Sequence, residues 1–106
     1  MKYLMLVCVD PAIEHDENAG NVDDWFERAG SARLLGNALQ SPSDGWTIRV
    51  RGGKPFVTDG PFAETKEFVA GFDILECDSP EEAREIAAAH PVAKFGAIEV
   101  RAFDVE

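Results

Sequence analysis

The sequence contains only two cysteines, Cys8 and Cys77, and each lies within an apolar run. Two cysteines are too few for a disulfide framework, and they lack the Cys-x-x-Cys spacing of metal and redox sites. We therefore interpret both as small buried hydrophobic residues. The neighbouring side chains of "EHDE" (14–17) cannot easily converge on one ion, so the sequence predicts no bound metal. It also lacks a glycine-rich phosphate loop, and we expect no cofactor.

A long hydrophobic stretch is also missing. The segment "MKYLMLVCVD" (1–10) carries a charge at position 2 and again at Asp10, so its apolar run is far too short to span a bilayer. It also lacks the small-residue cleavage site of a secretory signal peptide. We therefore expect a cytoplasmic protein.

Basic residues are scarce, with 10 Lys and Arg against 20 Asp and Glu and a formal net charge of −10. This charge repels phosphate backbones and anionic membrane surfaces, which predicts no direct nucleic-acid binding and no membrane association. The acidic residues are concentrated in segments 14–24 and 76–82, which we interpret as solvated loops and helix starts.

The length of 106 residues suits a single domain over residues 1–106. A core of this size is marginally stable on its own. Association into a homodimer would bury the remaining apolar surface, so we expect one.

Patterns of apolar and turn-forming residues predict strands over 2–10, 31–40, 68–78 and 96–103, a hairpin over 46–60, and helices over 22–30 and 79–91. In the first helix the spacing predicts a buried face formed by Val22, Trp25, Phe26 and Ala29.

Capping and turn residues support these boundaries. Asn21 is placed to cap the first helix, and Ser79 with Glu82 forms a capping box for the second. Gly52-Gly53 (52–53) supplies a two-residue hairpin turn. Gly36, inside the second strand, indicates a bulge or a close approach of another part of the chain.

This order of elements predicts a ferredoxin-like α+β fold, with two split strand–helix–strand units and an inserted hairpin. Both helices would cover one face of an antiparallel sheet. The other face must be buried against something, and a second copy of the same sheet is the expected cover.

The segment "VTDGPFAETKE" (57–67) resembles the signature of the DGPF branch of the YCII-related domain family. The flanking segments "ERAGSARLLGNALQ", "EEAREIAAAHP" and "FGAIEVRAF" follow in the order that this family shows. The resemblance implies a ferredoxin-like subunit that pairs sheet to sheet in a dimeric α/β-barrel arrangement.

The resemblance implies no general reaction. Members of the family are similar to proteins proposed as enzymes because polar residues line a cleft, and some are encoded beside extracytoplasmic-function sigma factors. Many relatives carry a histidine near the start of a longer first helix. The matching position here falls at about Ala19, and His15 lies four residues earlier in a predicted loop.

Two residues are candidates for acid–base catalysis. Asp59 precedes Gly60-Pro61, and its carboxylate could either accept backbone N–H bonds across the turn or act as a general acid or base in a cleft. His90 lies on the apolar face of the second helix. It is either a half-buried residue bonded to a nearby carbonyl or an acid–base partner that titrates near neutral pH.

Four polar residues are candidates for binding a substrate. Glu64, Thr65 and Lys66 follow the turn, and Glu64 with Lys66 is either an exposed ion pair or part of a cleft in which Lys66 holds an anion. Arg49 lies in the basic hairpin, which either balances acidic residues or recognises an anion.

Two functions remain open from the sequence. The first is a small-molecule enzyme or binding protein with a cleft near the dimer interface and Asp59 as its acid–base group, performing proton transfer such as isomerisation, or hydrolysis. The alternative is a non-catalytic accessory protein in sigma-factor-linked regulation.

Overall fold

The computed structural model describes residues 1–61 and 66–105. Within these residues the strands and helices are, in chain order, β1 (Lys2–Val9), α1 (Val22–Ala29), β2 (Arg33–Ala38), β3 (Trp46–Arg51), β4 (Lys54–Asp59), β5 (Phe68–Glu76), α2 (Pro80–Ala88) and β6 (Ala97–Ala102). The predicted order of elements is confirmed. Strand β2 begins later than predicted because Gly30–Ala32 forms a 3₁₀ turn after α1.

Four strands form one antiparallel sheet in the order β2–β5–β1–β6. Each helix therefore connects two strands that flank a strand of the other half, which is the split arrangement that the sequence predicts. Strands β3 and β4 form a separate two-stranded hairpin. Gly52 and Gly53, with φ of 57° and 75°, make its turn, as predicted.

The core lies between the sheet and the two helices. Its side chains come from alternate positions of β1 and β5, from both helices and from the residue after β5, namely Tyr3, Met5, Trp25, Ala29, Leu75, Cys77, Ala83, Ile86 and Ala87. The residues between these positions on the strands point to the other face and are only half-buried. Cys8 lies on that other face, so the prediction that it is buried is wrong, whereas Cys77 is 2% exposed.

Both predicted helix caps are present. The Asn21 side chain accepts a hydrogen bond from the Asp24 N–H at 2.9 Å, and Ser79 Oγ accepts one from the Glu82 N–H at 3.1 Å. The Glu82 carboxylate in turn accepts a bond from the Asp78 N–H at 3.0 Å, one residue before the cap. These bonds satisfy amide groups that would otherwise lack partners at the helix starts.

The buried face of α1 is narrower than the sequence predicts. Trp25 and Ala29 are buried, but Val22 and Phe26 are 42% and 38% exposed. Both exposed residues border a cavity instead of packing into the core. That cavity also contains charged side chains.

Candidate functional site

A cavity of about 370 Å³ lies between α1, β2, β5 and the 3₁₀ turn Pro91–Lys94 that follows α2. Apolar side chains form much of its wall, among them Val7, Val22, Phe26 and Val92. Its charged or titratable side chains are Arg33, Asp73 and His90. This volume lies in the lower part of the range of about 300–1,000 Å³ that small-molecule sites occupy. We refer to it as the His90 cavity.

Asp73 supplies a buried carboxylate to the cavity. It lies in β5 on the side of the sheet that faces the helices, and it is 5% exposed. Arg33 Nε donates a hydrogen bond to its Oδ1 at 2.7 Å. A buried charge is costly unless it is paired and hydrogen-bonded, and Arg33 meets both needs. The Arg33 guanidinium also lies 4.4 Å from the centre of the Phe26 ring, which fixes it from a second side.

Gly36 provides the space for this carboxylate. It is the register partner of Asp73 on β2. A Cβ atom at position 36 would overlap Oδ1 and Cγ of Asp73 and would lie 2.6 Å from the Phe72 carbonyl oxygen. The sheet register shifts between Arg33 and Leu35, so Arg33 and Gly36 face the same cavity although they are three positions apart. The sequence predicted a bulge or a close backbone approach at Gly36: the close approach is confirmed, whereas the bulge lies before it, between Arg33 and Leu35.

His90 does not lie on the second helix, as the sequence predicted, because α2 ends at Ala88; it caps the 3₁₀ turn Pro91–Lys94 instead. Its Nδ1 accepts a hydrogen bond from the Val92 N–H at 3.1 Å, and its ring packs edge-on against Trp25 at 4.8 Å between centroids. Trp25 Nε1 donates to the Ile86 carbonyl at 2.8 Å, so the ring behind His90 is fixed as well. His90 is only 5% exposed, more deeply buried than predicted, and its described partner is a backbone N–H where a carbonyl was expected.

These surroundings define the protonation of His90. Burial lowers the pKa of its imidazole below the ordinary value of 6.5, and the negative charge of Asp73 opposes that shift more weakly. Because Nδ1 accepts a hydrogen bond, the proton of the neutral ring lies on Nε2. At neutral pH His90 is therefore an uncharged N–H donor.

His90 and Asp73 each have one side-chain atom with no described partner, and both residues line the cavity. Among the described residues, nothing hydrogen-bonds to His90 Nε2 or to Asp73 Oδ2. Every fully enclosed side-chain nitrogen or oxygen in the described part of the chain has a partner. These two atoms are therefore not fully enclosed, and both residues line the cavity. His90 therefore offers a ligand an N–H donor and Asp73 a carboxylate acceptor, in a lining that also includes Arg33 and Asn37.

The structure places Asp59 elsewhere, as the exposed last residue of β4. The turn after it is held through backbone groups: Gly60 has φ of 94°, its N–H donates to the Gly45 carbonyl at 2.8 Å, and Thr47 Oγ1 donates to its carbonyl at 2.8 Å. No residue in the ranges 1–61 and 66–105 donates a hydrogen bond to the Asp59 carboxylate. Its proposed acid–base role stays a prediction.

Lys66 and Arg49, the other predicted site residues that the structure describes, also lie outside the His90 cavity. Lys66 is highly exposed, and its Nζ lies 3.7 Å from Oδ2 of the buried Asp10. Arg49 belongs to β3 in the hairpin. Glu64 and Thr65 lie outside the described residues. Of the predicted set, His90 is the member that lines the cavity with Asp73.

A second cavity, of about 540 Å³, lies between the end of β2 and the start of β5. Its lining includes Pro61 of the Asp-Gly-Pro-Phe motif, Glu67 and Asp44. It brings the motif close to a ligand-sized space, but Asp59 does not line it.

Sequence reasoning missed Arg33 and Asp73. One signal was present: Asp73 is the single charged residue in the otherwise apolar run of residues 68–75. A charge in the interior of such a strand must be exposed on one face or paired. Its partner could not be named, because Arg33 lies 40 positions away in sequence.

Comparisons with known proteins agree with the fold. The model of the family described as the YCII-related domain matches residues 1–103. An uncharacterized protein of Rhizobium meliloti (strain 1021), R00369, is 44% identical over 59 residues, which cover 52% of this chain and 46% of that protein. The match thus spans about half the length of this curated relative.

One similar solved structure is 5-chloro-2-hydroxyhydroquinone dehydrochlorinase from Burkholderia phenoliruptrix AC1100, in complex with 2,5-dihydroxybenzoquinone. The two chains superpose with a TM-score of 0.55 at 17% sequence identity, over 100% of this chain and 96% of that one. At this identity the likeness concerns the fold alone. Among the described residues of this chain, no helix has the length and apolar character needed to cross a membrane.

Proposed function

Because this chain belongs to the YCII-related domain family, we propose that it is a small-molecule enzyme or ligand-binding protein whose site is the His90 cavity. One observation carries the proposal: a buried carboxylate and a neutral imidazole, each with an atom that has no partner among the described residues, line the same ligand-sized cavity. Titratable groups buried in a cavity with specific partners are typical of functional sites. We also propose that it acts in the cytoplasm.

The ligand would be small and partly apolar. The wall formed by Val7, Val22, Phe26 and Val92 suits a hydrocarbon or aromatic body, and Asp73 with His90 would orient its polar groups. The fold neighbour acts on a chlorinated hydroxyhydroquinone. Small cyclic ketones, phenols and quinones are therefore reasonable first probes of this cavity.

A fragment screen by protein NMR tests this proposal. We expect small cyclic carbonyl and phenolic compounds to shift the amide resonances of Gly36 and Val92. Asp73→Asn, which can still accept the Arg33 N–H bond, should weaken that binding at least tenfold. Asp59→Asn should leave it unchanged, since Asp59 does not line the cavity.

Either of two outcomes would count against the His90 cavity. One is a screen in which no compound shifts cavity resonances. The other is a compound whose binding depends on Asp59 and not on Asp73, which would move the site to the Asp-Gly-Pro-Phe turn. The thermal stability of each variant is measured alongside, so that loss of binding is not confused with loss of the fold.

We also propose that two copies pair through the sheet face that the helices leave bare, in the dimeric α/β-barrel arrangement. On that face Leu4, Leu6 and Ile74 are half-buried, and Leu35, opposite Ile74 in the register, is 55% exposed. Burial of apolar surface stabilises association by roughly 25 cal/mol per Å² before the entropy cost of association is subtracted. A second copy offers a matching apolar face, because the two-fold pairing is self-complementary.

Analytical ultracentrifugation tests the pairing. We expect wild type to sediment at twice the chain mass of 11.6 kDa. Leu35→Glu should raise the dimer dissociation constant at least tenfold, because it places a charge in an apolar interface. Ala88→Glu adds the same charge on the exposed side of α2 and should leave the constant unchanged. A wild-type chain that stays monomeric at about 100 µM, or equal effects of both variants, would contradict this interface.

A further inference from the structure

We propose that the His90 cavity moves a proton next to a carbonyl group, with Asp73 Oδ2 as the base and His90 Nε2–H as the donor that stabilises the carbonyl oxygen. This inference rests on the proposed function, because it assigns chemistry to the same site. It reverses the role expected of His90 from the sequence, since the imidazole here donates a hydrogen bond and takes no proton.

The hydrogen bond at Nδ1 fixes this role. Nδ1 accepts the Val92 N–H at 3.1 Å, so placing a proton on Nδ1 would break that bond and set two N–H groups against each other. Nε2 already carries the proton of the neutral ring. Turning the ring to exchange its two nitrogens would break this hydrogen bond and disturb the edge-on contact with Trp25. A neutral imidazole held in this way can polarise a carbonyl group, and it stays uncharged at neutral pH because burial lowers its pKa.

Asp73 is arranged to accept the proton. Arg33 Nε occupies Oδ1 at 2.7 Å, which leaves Oδ2 with no partner among the described residues. The Phe26 ring holds the guanidinium in place, so the carboxylate is fixed before a ligand arrives. A carboxylate fixed in a largely apolar cavity needs little solvent reorganisation when it takes a proton.

The proposed step balances within the substrate and Asp73. The C–H bond beside the carbonyl breaks, and its electron pair forms a C=C bond. The carbonyl π pair moves to oxygen, and the resulting enolate oxygen accepts the hydrogen bond from His90 Nε2–H. Asp73 Oδ2 carries the proton. If that proton exchanges with solvent before one returns to the same carbon, the result is hydrogen exchange, and its delivery to a different carbon gives an isomer.

The site defines a class of substrate. A cavity of about 370 Å³ suits a small ketone, aldehyde or cyclic enone. The Asp73 carboxylate disfavours a negative charge beside the reacting carbon, so the substrate is uncharged there. Its hydrocarbon part would lie against Val22 and Phe26.

The experiment uses carbonyl probes that bind the cavity in the fragment screen, starting with cyclohexanone and cyclohex-3-enone. We expect full-length protein in D₂O to accelerate loss of the α-hydrogen NMR signal of the bound probe, and to convert cyclohex-3-enone to the conjugated enone.

Asp73→Asn should lower kcat/KM at least 100-fold, the scale of general base catalysis. His90→Leu should lower kcat at least tenfold with little change in KM, whereas His90→Gln, which keeps a side-chain N–H donor, should restore most of it. His15→Gln, in an exposed loop, should have no effect.

The outcomes separate this inference from the proposed function. A carbonyl probe that binds the cavity but exchanges no faster than in buffer overturns the inference and leaves the binding site intact. Full activity in Asp73→Asn overturns it as well. Long-range ¹H–¹⁵N spectra give an independent check: a His90 ring protonated at Nδ1 at pH 7 would contradict the donor role. If no carbonyl probe binds, the proposal that the substrate is a small carbonyl compound is wrong.

Discussion

Replacing Gly36 with alanine is expected to lower the free energy of unfolding by about 3 kcal/mol, the upper part of the range for overpacking a well-packed site. The new Cβ would overlap the Asp73 carboxylate and would lie 2.6 Å from the Phe72 carbonyl oxygen. Relief requires the ion pair with Arg33 to break or the β2–β5 ladder to separate. Urea unfolding at fixed protein concentration measures the change.

Gly45→Ala is the matched control for this variant. Gly45 has φ of −92°, which any residue adopts, and a Cβ there would lie 3.4 Å from the nearest atom outside its chain neighbours, the Pro42 carbonyl oxygen. Its substitution should change stability by no more than about 0.5 kcal/mol. Equal losses in the two variants would mean that the cost at position 36 reflects glycine removal in general and not the approach of Asp73.

A double variant divides the Gly36 effect into two parts. In an Asp73→Ala background the added methyl no longer meets a carboxylate, but it still meets the Phe72 carbonyl oxygen at 2.6 Å. We expect Gly36→Ala to cost less in this background than in wild type, with a coupling of at least about 0.5 kcal/mol. Strict additivity would show that the backbone contact alone accounts for the loss.

Much of the fold could be predicted because its signals are local. The caps at Asn21 and Ser79 and the Gly52-Gly53 turn each depend on residues within four positions of one another. The burial of α1 was predicted less well. Helical spacing shows which residues share a face, but it does not show that a cavity replaces the core beneath Val22 and Phe26.

The candidate site depended on information that the sequence does not display. His90 was identified from its own chemistry and position, and Gly36 from its place inside a strand. Asp73 and Arg33 were not identified from the sequence. The bulge between Arg33 and Leu35 sets the register of β2 against β5, and this register decides which side chains meet. Asp59 was predicted as a site residue because it precedes a distinctive turn. In the structure, the Gly60 N–H of that turn donates a hydrogen bond to the Gly45 carbonyl.

The free energy of unfolding is expected to decrease as the pH is lowered, because His90 takes up a proton. The folded pKa of this imidazole lies below the ordinary value of 6.5. Above pH 6.5 both the folded and the unfolded chain keep it neutral, so its contribution to stability is fully present. Below pH 6.5 the unfolded chain binds the proton first, and the free energy of unfolding decreases until the pH reaches the folded pKa. The slope approaches about 1.4 kcal/mol per pH unit in that interval.

Two variants isolate this contribution from that of the many carboxylates. His90→Gln cannot titrate, so between pH 7 and 5 its free energy of unfolding should fall less steeply than that of wild type. His15→Gln, which removes an exposed imidazole, is the comparison variant. If wild type and His90→Gln give parallel curves, the imidazole binds a proton equally well in both states and cannot be held neutral by Val92 and Trp25. A steeper wild-type curve instead means that the imidazole is uncharged in the folded chain at neutral pH, which is the charge state that the proton-transfer step needs.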